Sequence, residues 1–138
     1  GVLGHEVGHV LARHSMQQMA KDGLLAGFVN AAVVATSDGT NNSGRIAQMV
    51  GQVVQTRYGR QHESESDRIG IQLLLEAGYN PERLLSVMEV LADSMKGGSR
   101  PPEILSSHPF PETRAEQIKI YIEFFRKNGP AAVWTAEK

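Results

Sequence analysis

The sequence predicts a single, mainly α-helical domain. Apolar residues recur at intervals of three and four along most of the 138 residues, and no convincing stretch alternates with the period of two expected of a half-buried strand. A chain of this length suits one hydrophobic core, and its 41% hydrophobic and 21% charged residues are typical of a globular protein. We therefore interpret residues 1–138 as one domain, with loops at residues 37–44 and 97–109.

Five helices are expected, and capping and stop residues set their limits. Their expected ranges are residues 2–20, 24–36, 45–77 and 80–96, followed by a last helix that starts near residue 111. The first should end at Lys21-Asp22-Gly23, because a basic residue followed closely by glycine is a stop signal. A bend is expected at Gly59, and Gly78 should cap the third helix. Asn80-Pro81 should begin the fourth helix with a capping side chain and a first-turn proline.

Apolar side chains mark the segments that should be buried. The core faces of the last two helices are expected at Leu84, Leu85, Met88 and Leu91 and at Ile118, Ile122 and Phe125. The longest uncharged run, residues 23–37, contains Asn30 and is shorter than the about 20 apolar residues that a membrane-spanning helix needs. We interpret this run as a buried helix, with a helix lying on a membrane surface as the alternative.

Charge and composition exclude several classes of function. The 14 Lys and Arg residues balance 15 Asp and Glu residues to a net charge of -1, without a basic stripe that would neutralise phosphates. Nucleic acid is therefore not an expected partner. The chain has no cysteine, which excludes thiolate zinc sites, thiol nucleophiles and disulfides.

The clearest chemical signal is His5-Glu6-Val7-Gly8-His9 in the first helix. Residues four apart share a helix face, so His5 and His9 can aim two imidazoles at one point, where Zn²⁺ would suit them. Glu6 is placed to take a proton from a zinc-bound water, whose pKa zinc lowers to about 7. Glycine inside a helix costs about 1 kcal/mol relative to alanine, so Gly8 indicates close packing. The alternative is two histidines on a solvated helix face.

A zinc site of this kind needs a third ligand, and spacing sorts the candidates. The metzincin pattern requires glycine and histidine where this chain has Ala12 and Ser15. His14 misses the required position by one residue, about 100° around a helix, and is expected to be exposed or to cap the helix. Glu63 and Asp67 lie four apart, so Glu63 can bind zinc while Asp67 accepts the free N–H of a ligand histidine. The alternative is that these acids form an exposed, charged helix face.

Four segments, in the same order, resemble the zinc metallopeptidases that include the CAAX prenyl endopeptidase and the heat-shock peptidase HtpX. The likeness covers the chain from near its start to about residue 120 and is closest to the BepA-like bacterial envelope branch. The matching segments are Val2–Val10 followed by Arg13-His14, Tyr58–Asp67, Ala77–Pro81, and Ser107–Pro109 followed by Arg114.

This resemblance implies a gluzincin site with one Zn²⁺ per chain. His5, His9 and Glu63 would be the zinc ligands, Glu6 the catalytic base, and Asp67 the outer partner of a ligand histidine. The fold implied is the helical portion of a zincin-type α+β metallopeptidase domain. A short N-terminal β-sheet of that family is absent from this chain, so we expect a fragment that lacks upstream segments and is a poor peptidase alone.

Two further positions are interpreted through the same resemblance. Ser66 stands where the family usually has alanine, which is a mild departure. His108, in the 97–109 loop, matches a family element whose histidine can approach the metal in the envelope branch. As a regulatory fourth ligand it would displace the water that Glu6 must deprotonate. The alternative for His108 is an ordinary histidine in a surface loop.

The function expected is a zinc-dependent endopeptidase that hydrolyses peptide bonds with a metal-activated water. The resemblance implies work in protein quality control or assembly at the bacterial envelope, in the periplasm or at a membrane, on unfolded or misassembled polypeptides. One alternative is a zinc-bearing chaperone or binding module with little proteolysis. Glu6 argues against it, because a purely structural site needs no base. A helical scaffold or membrane-surface bundle is the second alternative.

Overall fold

The computed structural model describes residues 1–35, 58–96, 107–108, 111–132 and 134, which contain five α-helices. These are α1 Val2–Leu11, α2 His14–Ala35, α3 Arg60–Glu76, α4 Glu82–Lys96 and α5 Pro111–Asn128. The described residues form no strand, so the mainly α-helical prediction is confirmed. The predicted loop at 37–44, the helical stretch 45–57 and most of the 97–109 loop lie outside the described residues.

The first helix is shorter than the sequence predicts. It ends at Leu11, and Arg13 adopts a left-handed backbone with φ 57° before α2 begins at His14. The helix break predicted at Lys21-Asp22-Gly23 is wrong, because α2 runs through these residues to Ala35. Gln18 donates a hydrogen bond to Asp22 one turn later, at 3.1 Å, which supports the helix where a stop was expected.

The second half of α2 is exposed where a buried helix was expected. Leu24, Phe28 and Val34 are 65%, 66% and 76% exposed. The buried-helix prediction is therefore wrong for these side chains, since well over half of each is exposed. None of the helices in the described ranges combines the length and apolarity needed to cross a membrane.

The turn between α3 and α4 follows the predicted signals. Gly78 has φ 75°, the left-handed conformation that glycine adopts without steric cost after a helix. The side-chain oxygen of Asn80 accepts a hydrogen bond from the backbone N–H of Glu82 at 3.0 Å. This caps the start of α4 and fixes its direction relative to α3.

The hydrophobic core lies between α3, α4 and α5. The predicted face of α4 is buried at Leu84, Met88 and Leu91, while Leu85 packs against the core as a partly buried side chain. The buried core residues are Ile71, Leu84, Met88, Leu91, Ile118, Tyr121, Ile122 and Phe125. Because Ile71 belongs to α3, the core anchors the C-terminal half of the helix whose N-terminal half carries Glu63 and Asp67.

Glycines bring α1 and α3 into close contact. A Cβ atom added to Gly8 would lie 2.7 Å from both the carbonyl oxygen and the hydroxyl of Ser66. A Cβ added to Gly70 would lie 3.0 Å from the backbone of Gly4. Ser66 is fully buried, and its hydroxyl donates a hydrogen bond to the carbonyl oxygen of His5 at 2.5 Å. The packing role predicted for Gly8 is thus confirmed.

Candidate metal centre

Four side chains from three separate segments converge on one buried point. His5 and His9 come from α1, Glu63 comes from α3, and His108 comes from the short described segment 107–108. One donor atom from each lies within 4.8 Å of all the others. The four residues are only 3%, 4%, 0% and 7% exposed, respectively. The residues that the sequence singled out as ligands are therefore adjacent in space.

The distances among these donor atoms suit a metal ion of zinc's size. Nε2 of His5 lies 3.0 Å from Nε2 of His9 and 3.5 Å from Oε2 of Glu63. Nε2 of His9 lies 3.3 Å from Oε1 of Glu63. In a tetrahedral site with ligand distances of about 2.0–2.2 Å, neighbouring donors lie about 3.3–3.6 Å apart. The two distances to Glu63 lie in this range and the distance between the imidazoles is about 0.3 Å shorter, so two imidazoles and a carboxylate in this arrangement fit zinc.

The state of Glu63 also fits a metal ligand. Burial alone would raise the pKa of Glu63. Hydrogen bonds from His108 and His9 and the positive charge of a nearby arginine outweigh burial and lower this pKa to about 2. The carboxylate is therefore ionised at neutral pH. Its Oε2 accepts no well-directed hydrogen bond, although Nη1 of Arg114 lies 2.5 Å away as an ion-pair partner.

Asp67 lies behind His5, on the side away from the other donors. Nδ1 of His5 lies 2.8 Å from Oδ1 of Asp67, so the contact expected between Asp67 and a ligand histidine is present. Asp67 is in turn held by Arg114, whose Nε and Nη2 donate hydrogen bonds to its two oxygens at 2.8 and 2.7 Å. Arg114 is 6% exposed and pairs with the carboxylates of both Glu63 and Asp67. The sequence marked Arg114 only as part of a family match.

His14 is the site residue that sequence reasoning placed wrongly. It was expected to be exposed or to cap a helix, yet its side chain is fully buried. Its Nδ1 lies 2.9 Å from Nδ1 of His9, and its ring stacks on His62 with centroids 4.3 Å apart. The expectation assumed an unbroken helix, whereas the left-handed residue Arg13 redirects the chain and turns His14 towards His9.

Glu6 stands beside the converging donors without joining them. Its Oε1 lies 3.5 Å from Nε2 of His108, and its side chain is 45% exposed. Glu6 and His108 line a cavity of about 470 Å³, together with Tyr58 and residues of α2. The carboxylate therefore faces solvent-accessible space next to the candidate metal position, where a base for hydrolysis has to be.

His108 occupies the fourth corner of the donor set. Its Nδ1 lies 3.0 Å from Oε1 of Glu63 and 3.2 Å from Nε2 of His5. The ring of Tyr58 packs close to both His108 and His9, at centroid distances of 5.4 and 4.1 Å. His108 is thus buried beside the candidate metal position, unlike a histidine in an ordinary surface loop.

A helix that carries an HExxH motif, packed against a second helix that supplies a carboxylate to the same point, defines a metal-dependent peptidase. The comparisons with known proteins agree with this class. The model of peptidase family M48 matches residues 1–122, and the chain belongs to this family. The resemblance seen in the sequence is thereby confirmed.

Individual relatives carry protease names. The beta-barrel assembly-enhancing protease of Escherichia coli K12 is 35% identical over 121 residues, which cover 82% of this chain and 25% of the relative. Metalloprotease YcaL of the same strain is 33% identical over 128 residues, covering 86% of this chain and 46% of YcaL. The mitochondrial metalloendopeptidase OMA1 of Saccharomyces cerevisiae is 29% identical over 125 residues, covering 88% and 35%. The chain thus spans between a quarter and a half of these relatives. No solved structure matches it significantly.

Proposed function

We propose that the chain is the catalytic core of a zinc-dependent endopeptidase, with one zinc ion held by His5, His9 and Glu63. The observation that carries the proposal is the convergence of two imidazoles and an ionised carboxylate on one buried point, with Glu6 beside it. Catalytic zinc sites use three such protein ligands and keep a fourth position open. Burial lowers the pKa of His9, which favours the neutral imidazole that a metal requires.

Within this site the residues divide the chemistry between them. Bound at this position, zinc would supply Lewis acidity for the hydrolysis of an amide. Glu6 accepts a proton from the attacking water and returns it to the leaving amine, as a base placed beside the ligands can do. The cavity of about 470 Å³ contains Glu6, so we assign the substrate to that side. A second cavity of about 580 Å³ lies between α3 and α5. Glu6 does not line it, so we do not assign the substrate to that cavity.

Zinc content and proteolysis together test this function. We expect close to one zinc per chain, and we expect His5→Ala and Glu63→Ala to lose zinc or to bind it much more weakly. The full-length protein should digest casein, and Glu6→Gln should abolish this digestion while zinc stays bound. Zinc binding as tight in both ligand variants as in the parent would show that the ligand assignment is wrong. Zinc binding with casein cleavage unaffected by Glu6→Gln would remove Glu6 from the mechanism. Zinc binding without any cleavage by the full-length protein would favour the zinc-bearing chaperone.

His108 is proposed to regulate the same site. With its Nδ1 among the donors and its Nε2 3.5 Å from the Glu6 carboxylate, one imidazole faces both the fourth metal position and the base. A histidine held there would exclude the attacking water, so the resting enzyme would be inhibited. Movement of the 107–108 segment would open the site, as lid motions do in other enzymes.

The setting of this activity is inferred from the relatives. The first of them is named for enhancing the assembly of β-barrels, which points to polypeptide substrates. We propose that this chain likewise acts in protein quality control or assembly at a bacterial envelope, in the periplasm or attached to a membrane. Fractionation of cells and recovery of trapped polypeptides by the Glu6→Gln protein would test location and substrates together. Recovery in the cytosolic fraction would contradict this setting.

A further inference from the structure

The nitrogen of His9 that faces away from the other donors has a buried partner. Nδ1 of His9 lies 2.9 Å from Nδ1 of His14, and Nε2 of His14 lies 3.3 Å from Oε2 of Glu65. His14 is fully buried, whereas Glu65 lies at the surface with its side chain 46% exposed. A hydrogen-bonded series of three side chains, His9, His14 and Glu65, therefore leads from the candidate metal position to solvent.

The protons shared among His9, His14 and Glu65 have only one arrangement that satisfies every contact. If Nε2 of His9 offers its lone pair to a metal, the neutral ring carries its proton on Nδ1. Nδ1 of His14 must then accept that proton through its own lone pair. The neutral His14 ring consequently carries its proton on Nε2, where the carboxylate of Glu65 can accept it. Each nitrogen thus has one defined role.

We propose that His14, oriented by Glu65, is a positioning residue that fixes the tautomer and ring orientation of His9 for metal binding. This inference rests on the proposed zinc site. Histidines that bind metals almost always donate their second N–H to a carboxylate, a carbonyl or water, and this partner strengthens the ligand. Here the partner of His9 is an imidazole, and the carboxylate lies one step further out.

The backbone is arranged to place His14 there. In a continuous helix, a residue five positions after His9 would point about 140° away from it around the axis. The left-handed Arg13, with φ 57°, breaks the helix between the two histidines. Such a conformation costs about 1–2 kcal/mol in a residue with a Cβ atom, and strain of this kind is concentrated at functional sites. His62 stacks on His14 at 4.3 Å and 21°, which holds the ring in place.

A purely structural role for His14, as a buried ring that fills space, makes different predictions. Packing depends on shape, while positioning depends on a hydrogen-bond acceptor at Nδ1. Leucine and asparagine have nearly the same size and branching, but only asparagine has an acceptor near that position. His14→Leu and His14→Asn are therefore a matched pair that separates the two roles.

The tautomers can be measured first in the unaltered, zinc-loaded protein. Long-range ¹⁵N–¹H NMR spectra of the imidazoles should show His9 protonated at Nδ1 and His14 protonated at Nε2. This measurement needs no variant, so it cannot be confused by a failure to fold. A His14 ring protonated at Nδ1 and not at Nε2 would overturn the proposal.

Zinc affinity then tests the consequence, measured by competition with a chelator. We expect His14→Leu to bind zinc about 10–100-fold more weakly than the parent, as is usual when such an outer partner is lost. His14→Asn should recover most of that affinity. Equal affinity in the parent and His14→Leu, or an equal loss in both variants, would overturn the positioning role. A parent that binds no zinc would instead overturn the proposed function and this inference with it.

Discussion

Both histidines of the HExxH motif have the nitrogen that faces away from the converging donors held by another side chain. Asp67 contacts His5 at 2.8 Å and His14 contacts His9 at 2.9 Å. Fixing the second nitrogen leaves each ring little freedom to turn, so its other lone pair points at a constant position. The two partners differ in charge, because one is a carboxylate and the other an imidazole. As proposed zinc ligands, the two histidines should therefore respond differently to the loss of their partners.

At the residue scale, Asp67→Asn should weaken zinc binding and lower kcat/KM by about 10–100-fold each. The amide keeps the shape of the side chain but removes the negative charge that faces His5 and Arg114. The same substitution at Asp93, which pairs with Lys96 on the surface, should change neither value. If Asp67→Asn matched Asp93→Asn in zinc affinity and turnover, Asp67 would have no role in supporting the site.

His108→Ala should raise basal proteolysis by the full-length protein while zinc stays bound. The substitution removes the imidazole that lies 3.5 Å from the Glu6 carboxylate and frees the fourth donor position. Initial rates on casein and zinc content should be measured on the same sample. Unchanged proteolysis with zinc retained would rule out an inhibitory role, and loss of the zinc would make His108 an essential ligand instead.

At the element scale, the site depends on how closely α1 and α3 approach each other. Gly8 faces Ser66 and Gly4 faces Gly70, so the two helix backbones meet almost directly. This contact sets the distance between the histidines of α1 and Glu63 of α3. A shift of a few tenths of an ångström between the helices would move one donor relative to the others. Helix packing and metal geometry are therefore coupled.

Gly8→Ala should destabilise the fold and weaken zinc binding. The added Cβ would lie 2.7 Å from the carbonyl oxygen of Ser66, and overpacking of this kind typically costs about 1–3 kcal/mol. Alanine regains about 1 kcal/mol of helix propensity, which offsets part of that cost. Gly23→Ala is the control, because a Cβ at Gly23 meets nothing within 4 Å and should only stabilise α2. Urea denaturation that ranked the two variants equally would contradict this packing account.

Some helix boundaries could be predicted from the sequence and others could not. Gly78 and Asn80 gave correct boundaries because their conformational preferences are local. The break at Ala12-Arg13 could not be predicted, because arginine is not a residue that favours the left-handed conformation. Contacts of His14 with residues about 50 positions away outweigh the local preference for a continuous helix. Because that break was not predicted, the position of His14 was predicted wrongly. The HExxH spacing lies within one helix, so it was enough to place His5 and His9 side by side.

At the scale of the whole molecule, the candidate site joins segments that the core does not hold together. The core is formed by α3, α4 and α5, while α1 attaches mainly through its contact with α3. All five histidines of the chain are buried around this junction. Donor atoms of α1 and α3 lie only 3.0–3.5 Å apart, so one bound ion would connect the two helices.

Removing zinc should therefore lower the thermal stability of the whole domain. A ligand that binds only the folded state stabilises it by about 2.7 kcal/mol when present at 100 times its Kd. We expect chelation to lower the Tm seen by circular dichroism, zinc to restore it and magnesium not to. Glu63→Ala should show a much smaller zinc-dependent shift. If chelation left the Tm unchanged in a protein shown to hold zinc, zinc binding would not contribute to the stability of the fold.

The two residues between α1 and α2 have a consequence for how the family can diverge. Connections between helices normally tolerate insertions and deletions, because little depends on their length. Here Ala12 and Arg13 join the helix that carries His9 to the helix that begins with its partner His14. A gain or loss of one residue in this connection would turn the imidazole of His14 away from that of His9. Descendants of one ancestral gene should therefore keep this interval at a constant length. A glycine could replace Arg13 without harm, since it adopts the same backbone conformation at lower cost.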